Sequence, residues 1–301
     1  MLTRTLHPLA ALVLALGFAG AASAVIIDSG DGTGNTTAPS PDPGWAYVGL
    51  RAGAFTVVYL QDGWVLTANH VGAADVVLNG VTYSRVPGNE HRLSNGDGSY
   101  ADLLMFAITP HPPLAPLPIA ASTPANGASL ILIGRGYNRG AATSWDPDPG
   151  PPPSTIYGYL WGVGTIKRWG TNFVEYFPPT RIVGTEAFGS YFDENDSAHE
   201  AQVAVGDSGG ATFLWTGSSW ELAGILFALG SFIGQPASTA LYGNVSYSAN
   251  LSFYRDEILD VIAMPEPSGG VWPAVALLAA LRRPRLSRST RRTCAGARPR
   301  R

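Results

Sequence analysis

From Trp45 onward the chain is a succession of short apolar runs cut by glycine and asparagine. AYVGLR, AFTVVYL, GWVLTA, DVVLNGVTYSRV and DLLMFAI are rich in β-branched and aromatic residues and have the length of strands. They predict a first set of strands over about residues 45–109. TPHPPLAPLPIAASTPANGA then carries prolines at 110, 112, 113, 116, 118 and 124. Residues without an N–H at that density cannot lie inside a sheet, so a connector is expected over about 110–128. Strand-like runs resume with SLILIG. They continue, after a long loop from about Tyr137 to Pro153, through YLWGVGTIKRW, FVEYF, GATFLW, WELAGILFAL and ALYGNVS, giving a second set over about 129–250. FYRDEILDVIA (253–263) instead places apolar residues at 254, 258, 259, 261 and 262, the spacing of one amphipathic helix. The outline is two small β-barrels, a proline-rich link and a terminal helix.

The two ends break this pattern. Residues 1–24 have Arg4 near the start, an apolar run from Leu9 to Phe18 and Ala22-Ser23-Ala24 at the end, the layout of a secretory signal peptide cut after Ala24. Residues 25–44, VIIDSGDGTGNTTAPSPDPG, are mostly turn formers and are expected to be a flexible lead-in. Asp28, Asp31 and Asn35 within it do not complete a calcium ligand set. Residues 264–301 begin with Pro265-Glu266-Pro267, continue with an apolar stretch from Gly269 to Leu281 and finish with nine arginines. This tail resembles the PEP-CTERM sorting signals of Gram-negative bacteria. The resemblance implies processing by an exosortase-type enzyme, transient membrane association and a final place outside the cell or on its surface. The rival reading of the tail is a disordered basic or nucleic-acid-binding arm.

Charge changes the picture once the ends are set aside. The whole chain has a formal net charge of −3, but residues 25–264 hold nine basic against 21 acidic residues, a net −12. A nucleic-acid partner is therefore not expected for the mature protein. The single cysteine, Cys294, lies in the arginine tail. The exported part has no disulfide and depends on core burial.

VGDSGGA, residues 205–211, places Ser208 between an aspartate and two glycines. Hydrolysis through serine needs a base for the hydroxyl proton, an acid to orient that base, and N–H donors for the oxyanion. Among five histidines, His70 follows the apolar strand GWVLTAN directly, and Asp102 opens the alternating run ADLLMFAI. VLTANHV, ADLLMFAI and GDSGG, in that order, resemble the histidine, aspartate and serine motifs of trypsin/chymotrypsin-like serine peptidases. The resemblance spans about residues 45–262. It implies an all-β fold of two six-stranded antiparallel Greek-key barrels with a C-terminal helix, and a catalytic triad of His70, Asp102 and Ser208. It implies an oxyanion hole from the N–H groups of Gly206 and Ser208, and a specificity pocket based on Gln202 and walled by residues 226–230, with Phe227 and Leu229. Valine stands after His70 where that family often has a disulfide cysteine. A neutral Gln202 points to apolar or small substrate residues.

In the resembling family the aspartate before the serine often pairs with a freshly cut α-amino group. Leader removal would expose Val25-Ile26-Ile27, 45 residues before His70. The favoured expectation is nonetheless that 25–44 dangles and Asp207 finds another partner. DENDSAHE, with Asp193, Glu194, Asp196 and Glu200, is expected to be a solvated acidic loop rather than a calcium site. The tryptophans at 161, 169, 215 and 220 are expected in the core or at barrel rims. The expected activity is that of an exported serine endopeptidase without cofactor or metal, acting on protein or peptide substrates through an acyl-enzyme. The rivals are a non-catalytic surface or matrix-binding protein on the same fold, and an esterase or a peptidase confined to one partner.

Overall fold

The computed structural model describes residues 25–148, 154–164, 166–178 and 180–264. The expected leader and the sorting tail from residue 265 onward lie outside the described residues. The chain enters through a two-residue strand, β1 (Ile26–Ile27). Six strands then close an antiparallel barrel: β2 (Val48–Arg51), β3 (Thr56–Gln61), β4 (Trp64–Thr67), β5 (Val76–Leu78), β6 (Val81–Ser94) and β7 (Tyr100–Thr109), hydrogen-bonded in the order β2-β3-β4-β7-β6-β5. Strands β3 and β7 are buried along almost their whole length. Successive side chains point to opposite faces, and here both faces are covered. Val57, Tyr59, Val65, Phe106 and Ile108 fill a core made of first-barrel residues. Val58, Leu60, Leu66, Leu103 and Met105 pack with Ile131, Phe213, Ile225 and Tyr254 from the rest of the chain. That double burial is why these strands read as unbroken apolar runs.

The second set comprises β8 (Ser129–Gly134), β9 (Asn138–Trp145), β10 (Ile156–Gly162), β11 (Arg168–Phe173), β12 (Ala187–Tyr191), β13 (Ala201–Gln202), β14 (Ala211–Trp215), β15 (Trp220–Gly230), β16 (Thr239–Leu241) and β17 (Val245–Asn250). Six of them form one curled sheet, β11-β8-β14-β15-β17-β12. It curls into a half-barrel and is the second of the two six-stranded units expected. Among the described residues, only an isolated bridge, Tyr176 to Gly189, is formed between its two ends. Pro178 follows β11 by five residues and has no N–H with which to extend a ladder. The expected long loop from Tyr137 instead contains β9, which pairs with β10 and, through it, with β16 in a separate three-stranded sheet. The helix α1 (Leu251–Ala263) starts two residues earlier than the sequence indicates and buries Leu251, Tyr254, Ile258 and Val261. No helix of the described residues is long and apolar enough to cross a membrane.

Residues 25–44 differ most from expectation, because they are strapped to the second set of strands rather than dangling. Val25, Ile26 and Ile27 are at most 1% exposed, and β1 pairs with β13, Ile26 opposite Gln202. Beyond β1 the backbone oxygens are gripped by side chains. Arg139 on β9 donates to the carbonyls of Ile27, Asp28 and Gly30. The buried Arg168 donates to Gly34 and Thr33, and the Trp169 indole N–H to Thr37. The Asp28 carboxylate accepts from the hydroxyls of Tyr159 (2.5 Å) and Tyr242 (2.7 Å). Turn-forming composition therefore signals irregular backbone here, with its polar groups satisfied by side chains from elsewhere.

Candidate active site

Strand β4 ends in the buried Thr67 and runs into a single 3-10 turn, Asn69–Val71, whose Val71 is tucked into the core. The turn leaves the His70 side chain 39% exposed beside Asp102, near the start of the neighbouring strand β7. Nδ1 of His70 lies 2.6 Å from Asp102 Oδ2. The His70 backbone N–H donates to Oδ1 at 2.9 Å. Both carboxylate oxygens are thus committed to one residue. An ionised carboxylate only accepts, so the proton sits on Nδ1 and Nε2 is left as the basic nitrogen. Asp102 itself is 7% exposed, and its N–H donates to the Thr185 hydroxyl at 2.8 Å.

Ser208 stands on a tight double turn between β13 and β14. Asp207 N–H donates to Ala204 C=O at 3.1 Å and Gly210 N–H to Asp207 C=O at 2.8 Å. Gly206 (φ +98°) and Gly209 (φ +84°) occupy the left-handed region that a side chain disfavours. Gly209 has a second reason to be glycine. A Cβ there would stand 1.9 Å from Thr56 O and 2.1 Å from Thr67 Oγ1. The serine segment is pressed that closely onto the first barrel. Thr56 N–H donates to Ser208 C=O at 3.0 Å, Thr56 Oγ1 to Gly206 C=O at 3.3 Å, and Thr67 Oγ1 to Thr56 C=O at 2.8 Å. The Ser208 turn is therefore fastened to β3 and, through Thr67, to the end of β4, three residues ahead of His70 in the chain. Among the described residues, no hydrogen bond joins the Ser208 hydroxyl to His70. None engages the N–H of Gly206 or Ser208 either. A donor pair left unused beside a half-buried serine suits an incoming carbonyl oxygen.

No protein-family model and no curated protein sequence matches the chain. By shape, 643 solved chains match it. One is neuropsin, a serine protease expressed in the limbic system of mouse brain. It has 16% sequence identity and a TM-score of 0.51, and the match covers 76% of this chain and 99% of that one. The chain has the trypsin-like fold. At that identity the likeness speaks for architecture, and the chemistry of the site rests on its own residues.

Within this trypsin-like fold Asp207 is wholly buried. Its Oδ1 accepts the Gly136 N–H (2.6 Å) and its Oδ2 the Ala204 N–H (2.7 Å). Burial pushes its carboxyl up to about 7, against the pull of those N–H groups and of Arg168. Gln202 is 0% exposed, and neither polar atom of its amide has a hydrogen-bond partner. Phe227 belongs to the core shared by barrel and half-barrel, and Leu229 packs against a second core cluster. Of the acidic stretch, Glu194 and Asp196 are exposed, but Glu200 is 1% exposed and bonded to Asn172 and Ser197. The expectation of a uniformly solvated loop is corrected at that residue. Among the described residues no cluster of metal-ligating side chains is formed. Sequence reasoning missed Thr56, Thr67 and Thr185. Their partners lie 11 to 150 positions away, and nothing local to each threonine marks that.

Proposed function

We propose that the protein is a serine endopeptidase. Ser208 attacks the substrate carbonyl carbon as its proton passes to Nε2 of His70. Asp102 holds the productive tautomer and stabilises the imidazolium. The N–H groups of Gly206 and Ser208 receive the oxyanion. Collapse expels the amine, protonated by His70, and leaves an acyl-serine. A water activated by the same imidazole then releases the acid. The observation that carries this reading is the His70–Asp102 pair, both carboxylate oxygens spent on one histidine, on the barrel to which the GDSGG turn is fastened. Catalytic hydrogen bonds are commonly long without substrate, so the open Ser208–His70 contact is compatible with it.

The test is intact-mass labelling of the full chain with diisopropyl fluorophosphate, beside Ser208→Ala and His70→Ala. One adduct on the parent and none on either variant is the expected result. A folded parent that takes no adduct would leave the non-catalytic binding reading in its place. Comparing peptide with ester substrates separates a peptidase from an esterase. Export, leader removal and exosortase processing of the tail belong to the same proposal. They are tested by the N- and C-terminal masses of the mature protein.

The buried start of the chain adds a finer point. One further step along the β1–β13 register sets Val25 opposite Val203, and both lie in one core cluster. Val203 immediately precedes the 204–207 turn, which ends in the buried Asp207. We propose that an α-amino group freed at Val25 by leader removal pairs with Asp207 and steadies the turn that carries Ser208.

A further inference from the structure

Phe55 has φ +72°, a conformation rare for any residue with a side chain and an outlier for a bulky one. A tight turn between β2 and β3 imposes it. Arg51 N–H donates to Phe55 C=O, and Ala54 N–H to Arg51 C=O, each at 3.2 Å. Strain of this sort persists where the surroundings fix it, and it gathers at functional sites. Here the strained residue sets its ring against His70, the two planes at 89° and the centroids 6.4 Å apart. That lies within the range of an edge-to-face contact. The next residue, Thr56, is fully buried and holds the nucleophile segment, its N–H on Ser208 C=O and its hydroxyl on Gly206 C=O.

We infer that Phe55 is a positioning residue for His70, and that the Phe55-Thr56 pair sets the imidazole and the serine turn against each other. This rests on the peptidase reading. Asp102 grips the imidazole at Nδ1 alone, which leaves the ring free to swing about that grip. The Phe55 ring closes off that swing from the side. Its backbone is joined by one peptide unit to the residue that fastens Ser208, so the Nε2-to-Ser208 separation is referenced through a single link between barrel and half-barrel. The turn conformation at +72° aims the side chain at His70 while the following N–H aims at Ser208.

The experiment compares Phe55→Ala, Phe55→Gly and Phe55→Tyr in the full chain. Second-order labelling by diisopropyl fluorophosphate should slow about tenfold in the Ala and Gly variants and return to within twofold of the parent in Tyr. On a peptide substrate, kcat should fall with KM within twofold. Glycine relieves the strained φ, so Phe55→Gly should melt no lower than Phe55→Ala yet label as slowly. For a residue that only packs, labelling would follow thermal stability across the series. In protein carrying 13C-histidine, the His70 Cε1 order parameter should drop in Phe55→Ala. Parent-like labelling in the Ala and Gly variants, or an unchanged order parameter, overturns the proposal. If the parent itself never labels, the peptidase reading fails, and the order parameter alone decides whether Phe55 positions His70.

Discussion

Glu200 belongs to the run DENDSAHE, yet its carboxylate points inward. Asn172 Nδ2 donates to Oε1 and Ser197 Oγ to Oε2, both at 2.7 Å. Burial pushes the group up to about 8, the Ser197 bond opposing. The folded pKa stands above the unfolded value of about 4.3, so the folded state binds the extra proton. The stabilisation is complete below about pH 4 and is lost as pH rises through about 8. Thermal unfolding followed from pH 5 to 8 should show the midpoint falling by on the order of 3 °C per pH unit from this group. Glu200→Gln should remove that slope while keeping an acceptor for Asn172. Equal slopes in parent and variant would mean that Glu200 stays ionised. Charge composition alone could not single out this residue, because one carboxylate turned inward leaves the local sequence as polar as before.

At the level of elements, Asp28 ties together pieces far apart in sequence. Its Oδ1 accepts from Tyr159 on β10 and from Tyr242 just after β16, and its Oδ2 from the Asn195 N–H. The strap 25–44 and the three-stranded sheet are thereby locked to each other. Hydrogen bonds to a charged acceptor contribute roughly 1.5–3 kcal/mol each at most. Asp28→Asn, which keeps the shape and removes the charge, should lower the unfolding free energy in urea by about 2 kcal/mol. A urea midpoint equal to the parent's would show that the lock adds nothing. The same elements mark the limit of what the sequence discloses. Strands β3, β4 and β7 are legible because burial on both faces makes most of their length apolar. Helix α1 is legible because one face is apolar at helical spacing. His70, Asp102 and Ser208 are legible because each lies in a short run of recognisable chemistry. By contrast β9, NRGAATSW, is half-exposed and made of small and polar residues, and β1 is two residues in a stretch of turn formers. Such segments become strands through partners 11 to 176 positions away, and no local period records that.

Across the whole molecule, the proposed pairing of Val25 with Asp207 makes the chemical state of the chain start a determinant of the site. Two forms are to be compared at matched sequence, one starting at Val25 with a free amine and one acetylated there. In the acetylated form Asp207 faces no α-ammonium. With its carboxyl raised to about 7 from the ordinary 3.8, it favours the proton, so this form should lose stability as pH climbs from about 4 through 7. In the free form the ammonium favours the carboxylate and cancels that loss. Such a pairing would raise the amine's own pKa above its usual 7.7–8.0. Its contribution is therefore full below about pH 8 and disappears as pH rises through the elevated value. Labelling at Ser208 should accordingly be strong in the free form near pH 7 and fade on the alkaline side, and should be weak in the acetylated form throughout. Asp207→Asn should depress both. Equal labelling of the two forms at pH 7, or full activity in Asp207→Asn, would sink the pairing. The proposed triad would stand, because His70 and Asp102 are positioned by the first barrel and do not depend on where the chain starts.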